Sequence, residues 1–163
     1  MNADHLGKLS ESVESLLKQN NVLEKIQELK KEIHHTREPF VWSVVDLNSI
    51  KDLLPESIKS GWIFVLKKDV PSGCHYHPNS VQHMIMLEGQ GESKVAGISK
   101  KMIRFGTPDR SPDEVWYVIG EGIPHEFFPE ERDMVVISFH TCEAKELEEI
   151  GCETGVRRLY EGE

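Results

Sequence analysis

The sequence predicts a mainly β domain, either a sandwich or a barrel, preceded by amphipathic helices. Two patterns lead to this fold class. Before Pro39, apolar residues recur at every third or fourth position, which is typical of a helix with one buried face. After Pro39, short runs rich in Val, Ile and aromatic residues alternate with Gly, Pro, Asn and Asp, which is typical of strands and turns. With 163 residues, the chain has room for one domain with a proper core.

The amino-terminal segment, residues 1–38, is expected to be a helical extension. Its apolar residues lie on one face of a helical pattern that runs from about Asp4 to Thr36, and Asn20 and Asn21 interrupt that pattern as a turn would. The apolar set is Leu6, Leu9, Val13, Leu16, Leu17, Leu23, Ile26, Leu29 and Ile33. Unbroken heptads are too few for a coiled coil. We therefore expect helices that pack on the β domain, with a partner-binding surface as the alternative.

The β domain is predicted over residues 39–142 as a series of short strands. They are Phe40–Leu47, Gly61–Leu66, Val81–Leu87, Glu92–Val95, Met102–Phe105, Val115–Ile119 and Met134–Phe139. Gly89, Gln90 and Gly91 predict the tight turn of a hairpin. Residues 143–163 are expected to form an acidic tail that contains a short, solvated helix over Ala144–Ile150.

Composition narrows the classes of function. The chain has 19 Lys and Arg against 28 Asp and Glu, a net charge of −9, so we expect no basic surface for nucleic acid or an anionic membrane. No apolar stretch approaches the roughly 20 residues that span a bilayer. The three cysteines, Cys74, Cys142 and Cys152, lack zinc-finger spacing, and the first residues lack a signal-peptide pattern. We therefore expect a soluble cytoplasmic protein in which Cys74 is a packing residue.

His75 and His77 are the most informative residues of the chain. On an extended strand, side chains two positions apart point the same way, so both imidazoles are available to one metal ion. Neutral imidazole is the commonest protein ligand for divalent transition metals. His125, which belongs to a distant strand, is the natural third ligand. The alternative is a set of surface or hydrogen-bonded histidines that bind no ion.

The spacing around these histidines resembles the two sequence motifs of the cupin superfamily. Gly73, His75, His77, Gln82 and Gly89 match the first motif, and Gly122 and His125 match the second. Gln82 stands where the family usually has Glu, and Gly120 stands where it usually has Pro. The resemblance spans roughly residues 60–142. It implies a double-stranded β-helix barrel, the cupin barrel, which holds one divalent metal ion and forms a homodimer.

The sequence leaves the fourth metal ligand open between Gln82 and His83. An amide oxygen is a weaker ligand than a carboxylate and adds no negative charge, which favours an anionic or chelating substrate. Gln82 could instead orient a bound water molecule or the substrate. Imidazole is the better ligand, but His83 faces the opposite side of the strand if Gln82 faces the metal. Apolar residues follow on both faces of this strand, so the pattern does not decide the register.

Three further residues are candidates for the pocket around the metal. Ser138 and His140 share one face of a strand, and His140 could act as an acid, a base or a proton shuttle. A solvated strand face explains the same pattern. Phe127 is expected to form an apolar wall against the substrate. The order His125, Ser138, His140 resembles that of the thiol dioxygenases, a three-histidine iron branch of the cupins, with Cys142 in place of their tyrosine.

The expected function is that of an Fe(II)-dependent dioxygenase that acts on a small, chelating, anionic molecule. Zn, Mn or Ni are the alternative ions. A metal-dependent isomerase or lyase without redox chemistry is the first alternative function, and ligand binding or sensing without catalysis is the second. The expected partners are the small-molecule substrate and a second copy of the chain, and neither nucleic acid nor a membrane.

Overall fold

Two amphipathic helices form the amino-terminal part of the computed structural model, which describes residues 3–160. Helix α1 spans Ala3–Leu16 and helix α2 spans Asn20–Glu32, and a 3-10 turn follows at Ile33–His35. Asn20 and Asn21 do not interrupt the helix but begin α2, and the break lies before them. The N–H groups in the first turn of any helix lack hydrogen-bond partners within the helix, so polar residues there reduce helix stability little. Within residues 3–160, none of the helices has both the length and the apolar character of a membrane-spanning segment.

The rest of the chain forms antiparallel sheets, and the predicted mainly β fold is confirmed. Residues 3–160 contain eleven strands. They are β1 (Phe40–Val45), β2 (Ser60–Leu66), β3 (His75–Tyr76), β4 (Gln82–Glu88), β5 (Gly91–Val95), β6 (Ile98–Lys101), β7 (Tyr117–Ile119), β8 (His125–Pro129), β9 (Met134–His140), β10 (Glu148–Gly151) and β11 (Arg157–Leu159). A five-stranded sheet has the order β1-β2-β9-β4-β7, and a six-stranded sheet has the order β11-β10-β3-β8-β5-β6.

The five-stranded sheet separates two apolar cores. Along β2, side chains alternate so that Ile63 and Val65 pack in the core that the helices share, and Trp62 and Phe64 pack in the core on the other face. Side chains on both faces of the strand therefore contact apolar partners, and the residues on both faces are apolar. This is the physical reason that the sequence pattern could not decide which face of β4 carries Gln82.

Two predicted strands differ from the structure. Met102–Phe105 is not a strand, because the preceding segment, β6, pairs with β5 in its place. The strand predicted over Val115–Ile119 starts only at Tyr117, because Pro112–Val115 forms a short helix, α3. The Glu114 carboxylate accepts a hydrogen bond from the Ser111 backbone N–H, 2.8 Å away, and so caps the start of this helix.

The predicted hairpin at Gly89, Gln90 and Gly91 is also wrong, because β4 and β5 belong to different sheets. Gly89 nevertheless has a φ of +99°, and a Cβ atom there would lie 2.6 Å from the backbone oxygen of Asp133. Glycine is therefore required at this turn both for its positive φ and for the close approach of another backbone segment.

The acidic helix predicted over Ala144–Ile150 is wrong. A 3-10 turn at Ala144–Glu146 leads directly into β10, which pairs with β11 on one side and with β3 on the other. Because of this pairing, Glu149 is buried rather than solvated. A local run of charges predicts exposure, and the pairing with a distant strand overrides it.

Candidate metal centre

His75, His77 and His125 converge on one place in the six-stranded sheet. His75 lies in β3 with His77 just beyond it, and His125 begins β8, where it pairs directly with His75. The ring centroids of His75 and His125 are 4.4 Å apart, and those of His75 and His77 are 5.2 Å apart. One nitrogen of each ring lies within 4.8 Å of the other two. The predicted third histidine from a distant strand therefore lies beside the first two.

A backbone carbonyl group holds each of the three rings in the same way. Nδ1 lies 3.0 Å from the Gly73 oxygen in His75, 2.7 Å from the Glu148 oxygen in His77, and 3.0 Å from the Ile123 oxygen in His125. A carbonyl oxygen only accepts hydrogen bonds, so each Nδ1 carries the ring proton and each Nε2 has a free lone pair. This arrangement is the one that orients metal-binding histidines in proteins.

Burial keeps the three rings neutral. Loss of contact with water, reinforced by the neighbouring His125 and His77 rings, holds the pKa of His75 well below 6.5. Burial also lowers the pKa of His77, although its hydrogen bond to the Glu148 carbonyl opposes the change. Burial lowers the pKa of His125 to about 4. Because neutral imidazole is the form that binds metal, the centre is ready to bind at neutral pH.

This donor set fits a divalent transition-metal ion. Nε2 of His125 is buried and has no hydrogen-bond partner within the part of the chain that the structure describes. A buried polar atom without a partner costs about 1 to 3 kcal/mol, and an ion bound at the centre would give this nitrogen a partner. Imidazole nitrogen suits Fe, Ni, Cu and Zn alike.

A small cavity adjoins the histidines and is lined from both sheets. Its volume is about 30 Å³, which is enough for one or two water molecules. The polar lining consists of Ser72, His75, His77, Gln82, Ser138 and His140, and the apolar lining consists of Phe40, Phe64, Leu66, Met84, Phe127, Val136 and Tyr160. Phe127 therefore lies in the apolar lining of the cavity, as predicted from the sequence.

Comparison with known proteins shows a likeness of structure rather than of sequence. No family model matches the chain, and no curated protein sequence matches it significantly. The structure resembles vicilin from hazelnut, Corylus avellana, with a TM-score of 0.53, 15% identity, and coverage of 71% of this chain and 33% of that chain. It also resembles a salicylate 1,2-dioxygenase from Pseudaminobacter salicylatoxidans, with a TM-score of 0.51, 11% identity, and coverage of 71% and 31%. The chain has the cupin fold.

A third similar structure is the cupin domain of Cnp3 from Schizosaccharomyces pombe, with a TM-score of 0.48, 8% identity, and coverage of 64% of this chain and 65% of that chain. This chain spans about a third of the length of the vicilin and dioxygenase chains. At these identities the likeness concerns the cupin fold alone, and the chemistry has to be argued from the site.

Gln82, and not His83, faces the cupin cavity. Nε2 of Gln82 donates a hydrogen bond to Oγ of Ser138, 3.1 Å away. His83 points to the opposite face, where its ring centroid is 5.2 Å from that of His5 in α1. Burial lowers the pKa of His83 to about 4. Because side chains alternate along β4, only Gln82 of the two candidates for the fourth ligand lies on the cavity side, and His83 lies on the other face.

Ser138 and His140 both line the cupin cavity, so the alternative of a solvated strand face is wrong. His140 lies opposite Gln82 in the pairing of β9 with β4, and its ring centroid is 5.0 Å from that of His77. Complete burial, together with the nearby His77 ring, holds the pKa of His140 well below 6.5. Nδ1 of His140 is hydrogen-bonded to Oγ of Ser80 at 2.8 Å. Sequence reasoning missed Ser80, and no motif marks it.

Glu149 and Tyr160 are further residues at the cupin site that the sequence did not reveal. Oε2 of Glu149 lies 3.8 Å from Nε2 of His75. The Tyr160 hydroxyl donates a hydrogen bond to the same carboxylate oxygen. Burial raises the pKa of Glu149 to about 7, although the charge of Arg158 opposes the change. The sequence contains one indication of the hairpin that carries them, because Gly155 lies between the segments that form β10 and β11, and glycine is typical of a hairpin turn.

Cys74 and Cys152 form a disulfide bond that ties the residue before β3 to the residue after β10 of the cupin fold. The expectation that Cys74 is a free packing residue is therefore wrong. The pairing has no local signature because 78 positions separate the two cysteines, and Cys142 is the free one. Disulfides persist mainly in oxidising compartments, so the bond gives no support to the expected cytoplasmic location.

Proposed function

We propose that this protein is a metal-dependent oxygenase of the cupin fold. The proposed ion is Fe(II), with which the protein would oxidise a small chelating molecule with dioxygen. The observation that carries the proposal is the three-imidazole centre. Its rings are neutral, each Nδ1 is fixed by a carbonyl group, and a cavity lies alongside. His75, His77 and His125 would hold the ion. When bound, Fe(II) would supply the redox chemistry by which electrons pass from the chelated substrate to dioxygen.

The residues of the cavity would bind and orient the substrate. Three neutral imidazoles and the neutral amide of Gln82 add no negative charge, so a divalent ion would keep a net positive charge even beside an ionised Glu149, which favours a chelating head group with negative charge. The cavity has room for only one or two water molecules, so a substrate would displace side chains of the lining as it binds, and the apolar wall that includes Phe127 would then contact it and exclude water. Ser138 holds the Gln82 amide through its hydroxyl group.

His140 would exchange a proton or a hydrogen bond with the substrate. Its Nδ1 is already hydrogen-bonded to Ser80, so Nε2 is the ring nitrogen left for this role. Burial keeps the ring neutral, and a neutral imidazole can donate at one nitrogen and accept at the other.

Dioxygen consumption by the Fe(II)-loaded protein tests the proposal. The panel consists of thiols, diketones and catechols, each assayed with and without dioxygen. We expect uptake with at least one class, and a loss of about 100-fold or more in His77→Ala. His83→Ala is the matched control, because His83 is a buried histidine that points away from the cavity toward His5. Undiminished uptake in His77→Ala would contradict the proposal.

Other outcomes of the same assay assign the alternative functions. Turnover that continues without dioxygen would indicate a metal-dependent isomerase or lyase, in which the ion polarises a carbonyl or hydroxyl group. Tight binding of one compound without turnover would indicate a ligand-binding or sensing protein.

A further inference from the structure

Strand β10 brings a carboxylate to the metal centre from the carboxyl-terminal part of the chain. It pairs with β3 so that Gly151 lies opposite His75. Directly paired residues share a face of the sheet, and so do residues two positions apart in a strand, so Glu149 shares the face of His75 and His77. Glu149 is only 9% exposed, and its Oε2 is 3.8 Å from Nε2 of His75.

Two electron-rich atoms face each other in this contact. Nε2 of His75 carries a lone pair, because Nδ1 of the same ring holds the proton and donates a hydrogen bond to the Gly73 carbonyl oxygen. A carboxylate oxygen of Glu149 also offers lone pairs. Glu149 lies outside the group of three histidines whose ligand atoms are within 4.8 Å of one another, so it would attract a cation held by those histidines through its charge rather than as a ligand.

An ionised Glu149 carboxylate also supplies a charge that the rest of the centre lacks, and a bound cation would favour this ionised form over the protonated form that burial favours. Gln82 is neutral, and it occupies the position at which a carboxylate is usual in the motif that this chain resembles. Among the described residues, the cavity lining contains no Asp, Glu, Lys or Arg. Glu149 lies just beyond that lining, on the side of His75.

Two restraints hold Glu149 in this position. The Tyr160 hydroxyl donates a hydrogen bond to its Oε2. The disulfide between Cys74 and Cys152, and the 3.0 Å hydrogen bond from the Cys152 N–H to the Cys74 oxygen, attach the end of β10 to the start of β3. A carboxylate fixed in this way loses little conformational freedom when an ion binds.

We infer that Glu149 is the anionic member of this metal centre and strengthens the binding of a divalent cation through its negative charge, with Tyr160 as the residue that positions it. The inference rests on the proposed metal site at His75, His77 and His125. It assigns to β10 the electrostatic role for which β4 offers only the neutral Gln82.

Affinity for Co(II), measured by competition with a chromophoric chelator, tests this role without reference to turnover. Glu149→Gln preserves the size of the side chain and removes its charge, and we expect Co(II) binding to weaken by about 10- to 100-fold. Glu149→Asp preserves the charge and shortens the side chain, and we expect affinity within about threefold of the wild type. The reverse order, with Gln as good as Glu and Asp poor, would show that Glu149 only fills space and would overturn the inference.

Glu153→Gln is the matched control, because it removes the same charge from an exposed residue in the turn after β10. We expect it to bind Co(II) like the wild type, and a loss equal to that of Glu149→Gln would overturn the specific role of Glu149. Circular dichroism establishes that each variant is folded. If Glu149→Gln does not fold, Glu149→Asp and Glu149→Asn provide the same comparison of charged and neutral side chains at a shorter length.

The experiment separates the failure of this inference from the failure of the proposed function. If His77→Ala loses Co(II) and Glu149→Gln does not, the role of Glu149 is overturned and the three-histidine site remains. If the wild-type protein binds no Co(II), both are overturned. If Glu149→Gln weakens binding as expected and no compound supports dioxygen uptake, the inference is supported and only the oxygenase proposal fails.

Discussion

Binding of a divalent ion is expected to raise the thermal stability of this protein. An ion that binds only the native chain stabilises it by RT ln(1 + [ion]/Kd), about 2.7 kcal/mol at a concentration 100 times Kd. For a chain of this size, 1 kcal/mol shifts Tm by about 2 to 4 °C, so Co(II) is expected to raise Tm by about 5 to 10 °C. Little of this gain is lost to reorganisation, because the three ligand nitrogens already lie within 4.8 Å of one another.

Removal of one histidine is expected to abolish most of this shift. If His77→Ala raises Kd by about 100-fold, the same concentration of Co(II) only equals Kd, and the stabilisation falls to about 0.4 kcal/mol, or roughly 1 °C. His83→Ala also removes a buried imidazole, so it is expected to lower Tm in the absence of metal. Because His83 lies on the other face of its strand, near His5, the Co(II) shift is expected to remain.

Scanning calorimetry of the wild type and of the His77→Ala, His83→Ala and Gln82→Ala variants, each with EDTA and with Co(II), measures these shifts. A full Co(II) shift in His77→Ala would refute the three-histidine centre. A shift that disappears in His83→Ala but not in Gln82→Ala would refute the strand register that places Gln82 in the cavity.

Three further predictions concern the fold and are checked by urea denaturation. Gly89→Ala is expected to cost about 3 kcal/mol, because its Cβ would lie 2.6 Å from the Asp133 oxygen at a φ of +99°; Gly97→Ala, with a φ of +81° and open space, is expected to cost only about 1 kcal/mol, and equal losses would contradict the clash. Leu9→Ala is expected to cost about 3 kcal/mol, since Leu9 is fully buried in the core that the helices share with the sheet, and a loss below 1 kcal/mol would count against that packing. The pKa of about 4 for native His83 lies below the ordinary value of 6.5, so the stabilisation that neutral His83 provides is complete above pH 6.5 and is lost as the pH falls toward 4. Between pH 7 and 5, the free energy of unfolding of the wild type is expected to fall by on the order of 1 to 2 kcal/mol more than that of His83→Gln. Parallel losses in the two proteins would show that His83 does not titrate in this way.

Patterns that depend on neighbouring residues were read correctly from the sequence. The alternation of His75 and His77 requires only that the chain be extended there, and the structure places both rings at one centre. The amphipathic period predicted the helices, because a helix that packs on a sheet needs one apolar face. His125 was added by its resemblance to a known motif, and the pairing of β3 with β8 brings it to the first two.

Features that depend on strand pairing could not be read in this way. Gln82 and His83 are adjacent in a strand with two apolar faces, and only the helices on one face and the cavity on the other distinguish them. Ser138 and His140 fit a solvated face equally well until β9 is placed between β2 and β4. The acidic run around Glu149 predicted a solvated helix because its pairing partner lies far away in the sequence.

The local order of residues was thus sufficient to predict the secondary structure type of most segments and the common face of His75 and His77, because helix and strand periodicity are short-range properties. Tertiary structure decided which faces of the strands enclose the cavity, which two cysteines meet, and that Glu149 and Tyr160 lie beside His75. These outcomes arise from hydrogen bonds between strands far apart in the chain, which no window of neighbouring residues contains.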